Sequence, residues 1–243
     1  MKILINYSLL IALTLLCHNT SFAQFKKVKG NGNITNKIHT TSDYHKVEVV
    51  GFMNVILEKG TEGTIRVKTD ENIQELVIIE SDKGVLKIII KKNVNINTKN
   101  GIQITVPFEG LTNITLIGSG DVLTIDQIKS DQFEAEVTGS GDMILDVEAN
   151  RIDAKVTGSG DMKLSGNATE LEIKVTGSGD FDGGSLNSQN VEAYVSGTGD
   201  ARVVAKNSIK ARVNGSGVID YSGNPNTSDT KVMGSGNISP TMQ

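Results

Sequence analysis

The tetrapeptide Gly-Ser-Gly-Asp, with close variants, returns seven times at an almost constant interval. Its first glycine stands at Gly118, Gly139, Gly158, Gly177, Gly197, Gly215 and Gly234, and its second at Gly120, Gly141, Gly160, Gly179, Gly199, Gly217 and Gly236. The steps between copies are 21, 19, 19, 20, 18 and 19 residues. So even a period is an internal repeat, and it limits the fold before any local motif does.

Every second residue through one unit reads Phe133, Ala135, Val137, Gly139, Gly141, Met143, Leu145. The next units give Ile152, Ala154, Val156, Gly158, Gly160, Met162, Leu164, then Leu171, Ile173, Val175, Gly177, Gly179, Phe181. Strict alternation is the strand period, and the intervening set (Thr138, Ser140 and their equivalents) is polar. At ~3.3 Å per residue, one unit traces roughly 60 Å of extended chain, enough for one closed turn with two or three short faces. The reading is an all-β solenoid of ~19–21-residue coils whose stacked apolar columns form a narrow core that no single unit could bury alone.

The glycines fit inward slots where the wall bends or φ turns positive. A phosphate-binding glycine loop does not fit, because no helix follows and the motif recurs among strands. Fainter copies extend forward. Val28, Gly30, Gly32 and Ile34 repeat the alternation as Gly-Asn-Gly-Asn, and Val47, Val49, Gly51, Met53, Val55 and Leu57 follow 21 residues later. The solenoid is therefore expected to begin near Phe25. Between about 60 and 110 the motif disappears into less regular β sequence, either irregular coils or a small packed sheet, with one helical turn in "TDENIQEL".

Residues 1–23 read as a signal peptide: Lys2, an apolar run from Leu9 to Leu16, and small residues at Ser21 and Ala23 before a cut that leaves Gln24 first. Cys17, the only cysteine, follows Leu16, which is too bulky for a lipoprotein cleavage site. A mature chain without cysteine has no disulfide and relies on packing and backbone hydrogen bonds. No later stretch reaches the ~20 apolar residues of a membrane span. Residues 24–243 are read as a single exported domain, periplasmic, cell-surface-associated or secreted. Twenty-four basic against 28 acidic residues disfavour a nucleic-acid partner.

"YHKVEVVGFMNVILEKG", "VKTDENIQELVIIESDKGVLKIII" and the serial GSGD units together resemble the putative auto-transporter adhesin, head GIN domain family, common in Bacteroidetes, from Asp43 to the end. The resemblance implies a right-handed, β-helix-like, all-β, exported protein. An autotransporter barrel would need a further series of membrane strands. The sequence to Gln243 is still repeat, with its clearest units at 111–239, so delivery by other means is expected.

β-Helices include polysaccharide enzymes, which need converging carboxylates or a metal with a base. His39 and His45 lie outside the repeat, and Arg66, Arg151, Arg202 and Arg212 suggest no shared site. The reading is a non-enzymatic adhesion or structural module without a cofactor, with an extracellular protein or a glycan as partner. A β-helix enzyme acting on polysaccharide is the alternative. Tyr194 is the one aromatic on the outward side of the clearest strands, and tryptophan is absent.

The last pattern is the aspartate column, Asp121, Asp142, Asp161, Asp180 and Asp200. Stacked at ~4.8 Å, such carboxylates repel by roughly 1 kcal/mol per pair even in water. One reading has each Asp accept backbone N–H groups of its own bend, as Asx turns do, because Asn54 and Asn237 fill equivalent slots. The other has adjacent carboxylates share Ca²⁺, making this a calcium-binding envelope protein.

Overall fold

One period of the repeat is one coil of a parallel solenoid. The computed structural model describes residues 26–241. The signal peptide, its cut after Ala23 and Cys17 lie outside them. The strands before the repeat are β1 (Lys26–Lys29), β2 (Ile34–Thr40), β3 (Lys46–Gly51), β4 (Asn54–Lys59) and β5 (Thr64–Asp70). A 3-10 helix, Glu71–Leu76, supplies the expected helical turn, followed by β6 (Val77–Asp82), β7 (Val85–Ile90), β8 (Val94–Asn97) and β9 (Gln103–Phe108). The repeat itself comprises β10 (Asn113–Gly118), β11 (Val122–Thr124), β12 (Ile128–Gly139), β13 (Met143–Gly158), β14 (Met162–Gly177) and β15 (Phe181–Gly197). It closes with β16 (Ala201–Gly215), β17 (Val218–Ser222), β18 (Thr227–Gly234) and β19 (Asn237–Pro240).

Each long strand pairs in parallel with the next, giving about seven stacked turns of about 19 residues. Register follows the sequence period, so Val137, Val156, Val175, Val195 and Val213 fall in one column. All five are buried, at 0 to 2% exposure. Each such side chain contributes roughly 1.5–3 kcal/mol by leaving water. The one 20-residue step, Gly177 to Gly197, is absorbed by a register shift where Lys163 and Ser165 of β14 face Asp182 and Ser185 of β15, at Gly183 and Gly184. A bulge takes up the extra residue without turning the inward column outward.

Stacking order departs from chain order at the N-terminal end. β3 and β4 form a coil, with Val47, Val49, Met53, Val55 and Leu57 buried as the alternation predicts. On one side it meets β10 and β11, and on the other β7 and β9, all in parallel. Residues 60–110 thus leave the stack, build an outer coil from β7 to β9, and return on the opposite side of β3–β4. They contain both an irregular coil and the antiparallel pairings of β5 with β9 and β6 with β7, and β5 also pairs antiparallel with β2.

The solenoid does not begin near Phe25. β1 pairs with β8 as a separate two-stranded ribbon, and β2 runs antiparallel to β5, so residues 26–40 cover the end of the stack. The Gly30-Asn31-Gly32-Asn33 turn copies the repeat's alternation for a different reason. It wraps the Asp70 carboxylate, which accepts the Gly32 N–H at 2.6 Å, and a Cβ on Gly30 would lie 2.5 Å from that carboxylate. Among the described residues no helix is long and apolar enough to cross a membrane.

Candidate functional site

At each bend the two glycines answer different demands. Gly158 has φ +118°, a conformation L side chains avoid, and a Cβ on it would also lie 2.3 Å from the Gly139 carbonyl oxygen, whereas Gly160 is excluded from carrying a side chain by space alone. A Cβ there would sit 2.1 Å from the carbonyl oxygen of Gly141 in the preceding coil. The bends approach this closely because Ser159 and Gly160 both donate to the Gly139 carbonyl, at 2.8 and 3.0 Å.

The aspartates form a ladder along these bends. Asp121 Oδ1 accepts the N–H of Asp142 at 3.3 Å, Asp142 that of Asp161 at 3.0 Å, Asp161 that of Asp180 at 2.9 Å and Asp180 that of Asp200 at 2.8 Å. Asp200 in turn accepts the N–H of Val218 at 2.8 Å. The acceptor role read from the sequence is present, but the Asx-turn partner is corrected: each carboxylate reaches the next coil, not its own bend. Return bonds complete the rung, as Met162 N–H donates to the Asp180 carbonyl at 2.9 Å. Where Val218 replaces Asp, the following coil changes partner, and Asn237 N–H donates to the Gly217 carbonyl at 3.2 Å. The aspartates are exposed, and among the described residues no three His, Cys, Asp or Glu side chains are grouped to hold a metal.

Register turns the outward residues of β12 to β18 into stripes. One column runs Glu134, Asp153, Glu172, Glu192, Lys210, Asp229. Beside it run Glu136, Lys155, Lys174, Tyr194, Arg212 and Lys231, and beyond them Thr138, Thr157, Thr176, Ser196, Asn214 and Met233. The acidic and basic stripes pair with each other, Lys155 with Glu134 at 2.8 Å and Lys174 with Glu172, while Lys210 pairs with Glu192 along the first column at 3.0 Å. Arg151 joins Asp153 and Glu172 at 2.7 Å each and Glu170 at 3.2 Å. Hydrogen bonding from Lys174 holds the Glu172 carboxyl below the usual carboxylate range.

Tyr194 is half-buried between Lys174 and Lys210, whose ammonium groups lie 5.9 and 5.6 Å from its ring centre, and its hydroxyl donates to Glu192. Its neighbourhood, with Lys174, Arg212, Lys231 and Met233, forms a shallow depression of about 350 Å³. Arg66 pairs with Glu58 and Arg212 with Asp229, while Arg202 lies among Asp180, Asp182, Asp200 and Asp220, so the four arginines occupy separate surroundings. His39 and His45 lie on β2 and before β3, away from the stripes. The stripes escape a linear reading because their members are about 19 residues apart, and only the register brings them together.

A parallel solenoid with short coils and a glycine pair at the repeated bend from Gly118 to Gly236 defines the structural class. The family model for the putative auto-transporter adhesin, head GIN domain, matches residues 43–225, and the chain belongs to that family. Among solved structures it is similar to a putative adhesin of Bacteroides fragilis, with TM-score 0.84 and 24% identity over 88% of this chain and 100% of that one. A protein of Parabacteroides distasonis described as a putative lipid binding protein aligns with TM-score 0.75 and 24% identity over 89% of this chain and all of its own. A putative adhesin of Parabacteroides merdae gives 0.71 and 21%, again over 89% of this chain and all of the other. At these identities the likeness is one of fold. No curated protein matches.

Proposed function

We propose that the mature chain is an exported, non-enzymatic module that holds an extracellular or envelope partner, protein or glycan, against the striped face of β12 to β18. The observation that carries this reading is the straight register of the outward columns, which sets Tyr194, Lys174 and Arg212 in a row along a flat surface. A flat, regularly spaced face suits an extended partner, and the family's adhesin description supports the same direction. Against catalysis stands the pairing of the face's carboxylates with lysine and arginine. A general acid needs a raised pKa, and Glu134, Glu172 and Glu192 are all shifted down. The aspartate ladder serves the stack itself and needs no calcium.

Surface labelling of intact cells combined with a binding screen against glycans and matrix proteins tests this reading. The proposal expects a ligand whose binding is weakened by Tyr194→Ala and Lys174→Glu in chains that melt normally. Reproducible product release from a polysaccharide would overturn the non-enzymatic assignment.

A further inference from the structure

The outward columns change character at the end capped by residues 26–110. The hydroxyl column, Thr176, Thr157 and Thr138, continues in register through Ile117, Val50, Ile89 and Ile78. In the adjoining bend column of Ser178, Ser159, Ser140 and Ser119, the next coil carries Phe52. Ile117 is 39% and Phe52 38% exposed, and Val50, Ile89 and Ile78 are each partly open to solvent. Phe52, Val94, Asn95, Ile96 and Ser119 line a shallow depression of about 400 Å³. Slots that face water with hydroxyls elsewhere thus become a contiguous apolar patch, the usual mark of an interaction surface.

Two of the segments that border this patch carry charge of one sign. Residues 26–42 and 83–108 contain nine lysines and no aspartate or glutamate. The pairing of β1 with β8 places Lys27 and Lys29 in register with Asn95 and Asn97, next to the depression. Lys91 and Lys92 are exposed at the bend that leads into β8. Among the described residues Lys37 pairs with Glu75 and Lys87 with Glu48, and the other seven form no ion pair. The rest of the molecule is opposite in sign: residues 26–110 hold thirteen basic against ten acidic side chains, residues 111–241 ten against eighteen.

We propose that this end of the solenoid docks on an anionic lipid bilayer, with Phe52 and Ile117 entering the boundary between headgroups and acyl chains and Lys26, Lys27, Lys29, Lys91 and Lys92 meeting the headgroup phosphates. Charge complementarity selects the anionic surface, and the apolar centre selects a bilayer over a soluble polyanion, which lysines alone would satisfy. The acidic repeats are repelled by the same surface, which favours contact through the end formed by residues 26–110. This proposal does not depend on which partner the striped face holds.

Co-sedimentation of the mature protein with phosphatidylcholine vesicles, with and without phosphatidylglycerol, tests it. Binding is expected to the phosphatidylglycerol vesicles only, and to weaken as salt is raised. Phe52→Ser with Ile117→Thr should weaken it about tenfold or more, and these residues are the ones other coils carry, so the fold is kept. Lys91→Glu with Lys92→Glu should abolish it, and Lys174→Glu on the striped face should leave it unchanged. Thermal melts confirm that each variant is folded. No binding to phosphatidylglycerol vesicles overturns the proposal, as does equal binding to both vesicle types. Vesicle binding that survives Phe52→Ser with Ile117→Thr while heparin competes it away would mark a polyanion site and overturn it too.

Discussion

The carboxylate of Asp161 accepts the backbone N–H of Asp180, one coil further on, at 2.9 Å. The bond explains how a column of like charges persists. Each carboxylate satisfies a backbone donor at a bend where both neighbouring glycines leave the chain without side-chain cover, and a charge-assisted bond of this kind outweighs a solvent-screened repulsion of roughly 1 kcal/mol. The aspartates therefore fix the rise from coil to coil at the point where the strand ladder is interrupted.

The inward column predicts a sharp contrast between adjacent residues. Val175→Asp places an unpaired carboxylate at a site with 1% exposure, costing several kcal/mol, and the chain should fail to fold or melt far lower. Thr176→Asp, on the exposed side, should change stability by no more than about 0.5 kcal/mol. Circular dichroism melts decide, and equal damage would contradict the assigned register.

Glycine substitution separates close approach from backbone strain. Gly160→Ala drives a methyl against the Gly141 carbonyl and should cost on the order of 3 kcal/mol. Gly32→Ala has φ +81° but nothing within 4 Å of the new methyl, so only left-handed strain of about 1–2 kcal/mol is expected. Urea unfolding of the two variants orders them, and a Gly32→Ala cost as large as that of Gly160→Ala would contradict the spatial account.

The end cap should be sensitive to acid through Asp70. Hydrogen bonds from Thr98, the largest cause, and from Gly32 N–H hold its carboxyl below the ordinary value of 3.8. A depressed folded pKa adds stability that is complete above the unfolded value and is lost as pH falls through the folded one. The difference in melting temperature between the wild type and Asp70→Asn should therefore be constant from neutral pH down to about 4 and shrink below that. A difference independent of pH down to 2 would contradict it.

How much of this was legible follows from periodicity. Inward residues such as Val175 and Ala154 were readable because a strand's side-chain period is two and the coil repeats it. The reversed stacking of β7 to β9 was not, since residues 60–110 carry no motif to phase them. Gly30-Asn31-Gly32-Asn33 misled because alternating glycines serve a bend around Asp70 as well as one between coils. The partner of Asp161 was hidden for a similar reason: an acceptor beside a glycine suits its own turn or its neighbour's, and only stacking distinguishes them. The striped face and the Phe52 patch emerge once register aligns residues about 19 apart.

The account turns on the aspartate ladder being architecture, and thermal melts of the Asp161 variants with added calcium or EDTA test that most directly. An amide oxygen can accept the Asp180 N–H as a carboxylate does. Asp161→Asn should thus melt within a few degrees of the wild type, while Asp161→Ala leaves that donor without its acceptor and should cost roughly 1–3 kcal/mol. Calcium and EDTA should move none of these curves. A calcium-dependent rise in melting temperature, abolished by Asp161→Asn together with Asp180→Asn, would contradict the account and make the column a metal site.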